Sequence, residues 1–117
     1  MILLGHLSIA SFSFEIDGEI KGLGNEPVFI MVNHYADNGS WLYTDTINIK
    51  SVADKFHYKA ELAVPKYVWA SIGSLRSGKS FSFFLEKGCI KIRGAMEALN
   101  DIRVSGTPGN NDLMLSN

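Results

Sequence analysis

The chain has 117 residues, enough for one domain with a single core, and its 46% hydrophobic and 20% charged content is that of a globular protein, not a disordered one. Eleven Lys and Arg against twelve Asp and Glu leave a net charge of -1. The charges are scattered, which gives no electrostatic footprint for nucleic acid, and the single cysteine, Cys89, excludes an intrachain disulfide and a C-x-x-C motif alike.

Met1–Ala10 is apolar and ends in Ser8-Ile9-Ala10, small residues at a spacing that signal peptidase accepts. It reads either as a signal-peptide remnant or as the start of the first strand, and it is too short for a transmembrane helix. From Ser11 the alternation is plain. Phe12, Phe14, Ile16 and Ile20 share one parity, Ser13, Glu15, Asp17 and Glu19 the other, and Gly18 suggests a bulge. Gly22–Asn25 is a turn. Pro27–Val32 is apolar on both parities, as in a strand covered on both faces, and Asp37-Asn38-Gly39-Ser40 is a turn.

Trp41, Tyr43, Ile47 and Ile49 then share a parity broken by Asp45, and Phe56, Tyr58, Ala60 and Leu62 alternate with His57, Lys59 and Glu61. Tyr67–Ile72 is again apolar on both faces, and Ser74–Ser80 is a polar loop. Phe81, Phe83 and Leu85 precede a Glu86-Lys87-Gly88 turn, and Ile90 and Ile92 follow it, which reads as a hairpin with Gly88 at positive φ. A short Ala/Glu/Leu piece leads to a last strand at Ile102–Val104. Thr107 and Pro108 look like a helix N-cap and first helical residue.

About eight short strands with turns every 8–12 residues predict an all-β antiparallel sandwich with a Greek-key or jelly-roll-like path. A short helical segment is expected near the C-terminus. In these terms 1–10 is the leader or strand start, 11–106 the sandwich domain, and 107–117 the start of a linker or helix.

Several motifs invite chemistry. Gly73–Ser80 fits G-x-x-x-x-G-K-[ST], the phosphate-binding loop, but the β-prone Phe81–Leu85 follows where that motif needs a helix N-terminus. A Gly/Ser/Lys hairpin loop is the better reading, with no nucleotide bound. His34 and His57 could pair with Asp37, Asp45 or Asp54, yet no H-x-x-x-H or Cys/His cluster accompanies them, so no metal and no cofactor are expected. Cys89 shares its parity with Lys91 and Arg93, but no base is placed beside it to make it a nucleophile. Trp41 and Tyr43 flank a turn-rich loop and are the best candidates to stack on a sugar or grip a peptide, although the ordinary place for such residues is the core. Phe84 lies on the parity opposite Phe83, where it would meet water or a partner.

One family unites these pieces. Phe14-Glu15-Ile16-Asp17-Gly18-Glu19-Ile20, Lys21-Gly22-Leu23, Asp45-Thr46 and Asp54-Lys55-Phe56 come in that order, followed by Phe83–Gly88 and Val104–Pro108, with Asn110 and Asn111 just beyond. From Phe12 to Asn111 the chain resembles the N-terminal domain of unknown function that precedes the thioredoxin-like domain in envelope thiol–disulfide interchange proteins of Gram-negative bacteria. It departs in having Ala53-Asp54-Lys55-Phe56 where Asp-Gly-Lys-Phe is usual, and in lacking the lipoprotein cysteine near the start. The resemblance implies a non-catalytic accessory or interaction domain of the periplasm. Its partner would be a thioredoxin-like domain or another protein of the same pathway, and any redox activity would belong to that thioredoxin-like domain. Candidate contacts are Trp41, Tyr43 and Phe84. A free-standing sugar- or peptide-binding module is the alternative.

Overall fold

A computed structural model describes residues 11–116, with side chains described through residue 114. Met1–Ala10, read above as leader or strand start, lies outside the described residues. The elements are β1 (Phe12–Lys21), β2 (Val28–Tyr35), β3 (Trp41–Ile49), β4 (Lys55–Leu62), β5 (Lys66–Ile72), β6 (Ser80–Leu85), β7 (Gly88–Ala95), a 3-10 segment (Met96–Asp101), β8 (Arg103–Ser105) and α1 (Pro108–Ser116). They form two four-stranded sheets, ordered β4-β1-β7-β8 and β3-β2-β5-β6, as the alternating pattern predicts for a sandwich. We call them sheet A and sheet B. Among the described residues every strand pairing is antiparallel except β1 with β7, which is parallel.

The core is the shared inner face. Phe14, Ile16 and Ile20 of β1 and Ile90 and Ile92 of β7 meet Val28, Ile30, Val68, Ile72, Phe83 and Leu85 from sheet B, all buried. Full burial of such a side chain is worth about 1.5–3 kcal/mol, so these two rows account for why the sheets stay closed.

Three local expectations are corrected. The Glu86-Lys87-Gly88 turn does not make a hairpin, because β6 lies in sheet B and β7 in sheet A; the turn carries the chain across the sandwich. Gly88 does take a positive φ of 114°, which suits a tight crossing as well as a hairpin turn. Phe83, Ile90 and Ile92 still share one core, facing each other between sheets instead of along one ladder. Gly18 is not a bulge: the register of β1 runs through it without a break on both sides. A glycine is needed there because the Phe56 ring lies over it, 2.1 Å from where a Cβ would be. Finally, Pro27–Val32 and Tyr67–Ile72 are not covered on both faces. Phe29 and Met31 are only half-buried, and Tyr67 and Trp69 are exposed.

The C-terminal segment is tied down by polar contacts. Asn111 N–H donates to the Thr107 carbonyl (2.9 Å), closing the first turn of α1. The Glu86 carboxylate accepts the Asn110 N–H (3.1 Å), placing an anion at the positive end of that helix. Asn110 is fully buried. Its carboxamide accepts from Phe84 N–H and donates to Phe84 C=O, both at 2.9 Å, and donates to Thr107 Oγ1 at 2.8 Å.

Candidate interaction surfaces

The outer faces of the two sheets differ sharply in chemistry. On sheet A the outward residues of β1, β4 and β7 are mostly charged, and two pairs of them are joined across strands. Glu15 meets His57 Nε2 at 2.6 Å, and Arg93 donates to the Asp17 carbonyl (2.7 Å) and carboxylate (3.2 Å). Each of these charges keeps contact with water, which costs little and attracts little. Cys89 sits on this face opposite Glu15, half-buried and free.

Sheet B presents aromatic and aliphatic groups instead. Register aligns Thr46, Met31, Trp69 and Ser82 across its four strands, and beside them Tyr67 pairs with Phe84. Tyr67 packs edge-on to Trp69 (centroids 5.6 Å) and tilted on Phe84 (5.0 Å), and its hydroxyl shares a hydrogen bond with Ser82 (2.5 Å). Tyr67 and Trp69 are each 42% exposed, so two large rings are held in fixed orientation at the surface. A groove of about 320 Å³ continues from Tyr67 and Ser82 over the edge of β6 to Leu99, Leu113 and Met114.

At the far end, the β2–β3 hairpin carries Trp41 and Tyr43, exposed at 59% and 51% and so outside the core that is usual for such residues. They face different neighbours. A register shift opposite Tyr35 turns Trp41 so that its Nε1–H donates to Thr44 (3.1 Å), while Tyr43 stacks on His34 (4.6 Å between centroids). His34 Nε2 lies 2.8 Å from the Asp45 carboxylate, the pairing left open among Asp37, Asp45 and Asp54; His57 takes Glu15, which was not among those candidates. Phe84 is half-buried and belongs with Tyr67, remote in register from Trp41 and Tyr43.

The sequence therefore points to two exposed aromatics, Trp41 and Tyr43, and to the half-buried Phe84, but not to Tyr67 and Trp69. Their signal was present as Tyr67, Trp69 and Ser71 alternating with Val68, Ala70 and Ile72, masked because both parities are apolar. The Gly73–Lys79 loop joins β5 to β6, which pair antiparallel, so a strand begins at Ser80 where the phosphate-binding motif needs a helix. Among the described residues no three His, Cys, Asp or Glu side chains gather closely enough to hold a metal, and no helix is long and apolar enough to cross a membrane.

Fold and surfaces together define a small β-sandwich whose helical tail is fastened to one sheet edge, with one ionic face and one aromatic face. The chain belongs to the family described as Domain of unknown function (DUF4369), whose model matches residues 14–113 and so takes in both sheets and most of α1. No curated protein matches it.

Proposed function

We propose that this is a non-catalytic interaction domain that docks a protein partner on the outer face of sheet B. The observation that carries this reading is the contrast between the two faces: Met31, Tyr67, Trp69 and Phe84 crowd one, while ion pairs occupy the other. Exposed aromatics held rigid by their neighbours lose little entropy on binding and bury large area, the usual character of an interface anchor. By the chain's resemblance to the N-terminal domain of envelope thiol–disulfide interchange proteins, the partner would be a thioredoxin-like domain of the same polypeptide or pathway, and the compartment the cell envelope. The domain would orient that partner or its client and leave the redox chemistry to it.

A sugar- or peptide-binding role for Trp41 and Tyr43 is less well supported. Tyr43 spends one ring face on His34, and the indole N–H of Trp41 is already bonded. The test is affinity measurement between this chain and the thioredoxin-like domain encoded in the same frame or a neighbouring gene. Trp69→Ser combined with Tyr67→Ser should weaken binding at least about tenfold, a loss of roughly 1.4 kcal/mol. Binding unaffected by that pair, or lost on Trp41→Ser instead, would refute the assignment to this face.

A further inference from the structure

Among the described residues the two sheets present four edges, and three are closed to further pairing. β4 lines its edge with Lys55, His57, Lys59 and Glu61; β8 is only three residues long; and the Asn110 carboxamide occupies the outward N–H and C=O of Phe84 on β6. Short strands, edge charges and covering segments are the usual guards against strand addition. The fourth edge, β3, is neither short nor covered among the described residues, and its one charged residue, Asp45, is already paired with His34. It runs nine residues, Trp41-Leu42-Tyr43-Thr44-Asp45-Thr46-Ile47-Asn48-Ile49, rich in aromatic and β-branched residues, with no Lys, Arg, Pro or Gly. Its register shift is confined to the tip; from Tyr43 to Ile49 the pairing with β2 is regular. Among the described residues no hydrogen bond from outside sheet B reaches the backbone of Tyr43–Ile49.

We infer that the β3 edge pairs with β3 of a second copy of this chain, antiparallel about a twofold axis, to make one continuous eight-stranded sheet. A twofold perpendicular to the sheet keeps outward residues beside outward residues, which restricts the register to steps of two. With Thr46 opposite Thr46 of the second copy, Tyr43 meets Ile49, Thr44 meets Asn48 and Asp45 meets Ile47. Thr–Thr and aromatic–β-branched pairs are among the favoured cross-strand neighbours, and no like charges face each other. The next register toward the tip sets Asp45 against Asp45. The one after that draws the Trp41–Leu42 irregularity into the ladder. The charge of Asp45 needs nothing from the second copy, because His34 already lies 2.8 Å from it. In this arrangement the aromatic outer faces of the two copies lie on the same side.

Sedimentation of the full chain across micromolar to millimolar concentrations tests this. A monomer–dimer equilibrium is expected, and Thr46→Lys, at an exposed position on the axis, should raise its dissociation constant about tenfold or more with an unchanged circular dichroism spectrum. In a Cys89→Ser background, Thr46→Cys should oxidise to a covalent dimer and Thr44→Cys should not. A monomer throughout, an unaltered dissociation constant in Thr46→Lys, or cross-linking through position 44 and not 46 would overturn the inference.

Discussion

The side-chain amide of Asn110 is bonded at both ends to the main chain of one residue, Phe84, accepting its N–H and donating to its C=O. A single carboxamide thus stands in for the next strand at the edge of β6 and fixes α1 to the sandwich. Asn110→Ala strips a donor and an acceptor of their partners in a buried place and should cost about 1–3 kcal/mol in urea denaturation. Asn110→Asp should be at least as damaging at neutral pH, since a carboxylate cannot donate to Phe84 C=O and lies beside Glu86. Loss of less than about 0.5 kcal/mol in both variants, the range of a neutral surface change, would contradict this role.

The contact between Gly18 and Phe56 predicts a coupled pair. A Cβ at Gly18 meets the ring at 2.1 Å, so Gly18→Ala should destabilise by about 1–3 kcal/mol as the ring is forced aside. Phe56→Leu costs stability on its own by leaving space, but combined with Gly18→Ala the two penalties should partly cancel. Strict additivity in a double-mutant cycle would show that the ring does not depend on the missing side chain.

Ala53 and Asp54 both take positive φ, 50° and 75°, in the two-residue turn that leads into β4. Such turns ordinarily call for Asn-Gly or Asp-Gly. Asp54 offsets the cost by accepting the Gly24 N–H at 2.6 Å, whereas the Ala53 side chain makes no such bond. Ala53→Gly should therefore leave stability unchanged or raise it by up to about 1 kcal/mol, and Asp54→Ala should lower it. Thermal denaturation distinguishes the two; a clear loss in Ala53→Gly would contradict the strain reading.

Neighbours on β6 should respond in opposite ways. Phe83 is fully buried, and Phe83→Ala should cost about 3–5 kcal/mol, a large part of the stability of a domain this size. Phe84 is half-buried on the outer face against Tyr67, so Phe84→Ser should be much milder in the isolated chain. Equal, severe losses in chemical denaturation would mean that the outer face is as closed as the core.

Much of the fold was legible because burial here follows strand parity. The Phe14/Ile16/Ile20 and Ile90/Ile92 rows could be read directly as core, and Thr107-Pro108 as a helix start. Pairing was not legible. A tight turn after Leu85 is equally compatible with a hairpin and with a crossing between sheets, since both need only a reversal and a glycine at positive φ. Gly18 misled for a similar reason: a strand glycine marks either a bulge or a close approach, and the approaching ring belongs to a strand far along the chain. The aromatic face escaped notice because Tyr67 and Trp69 are apolar enough to resemble core. Only the partner strands, with Ser82 and Met31 beside them, reveal which side is outside.

If sheet B is the docking face, the most direct measurement is a nuclear magnetic resonance titration of the isotopically labelled chain with the thioredoxin-like domain proposed as its partner. Amide shifts and protection should concentrate at Phe29, Met31, Tyr67, Trp69, Ser82 and Phe84, leaving Glu15, His57, Lys91 and Arg93 on sheet A unmoved. Shifts centred on that charged face, or no shifts at concentrations that saturate a weak complex, would contradict it.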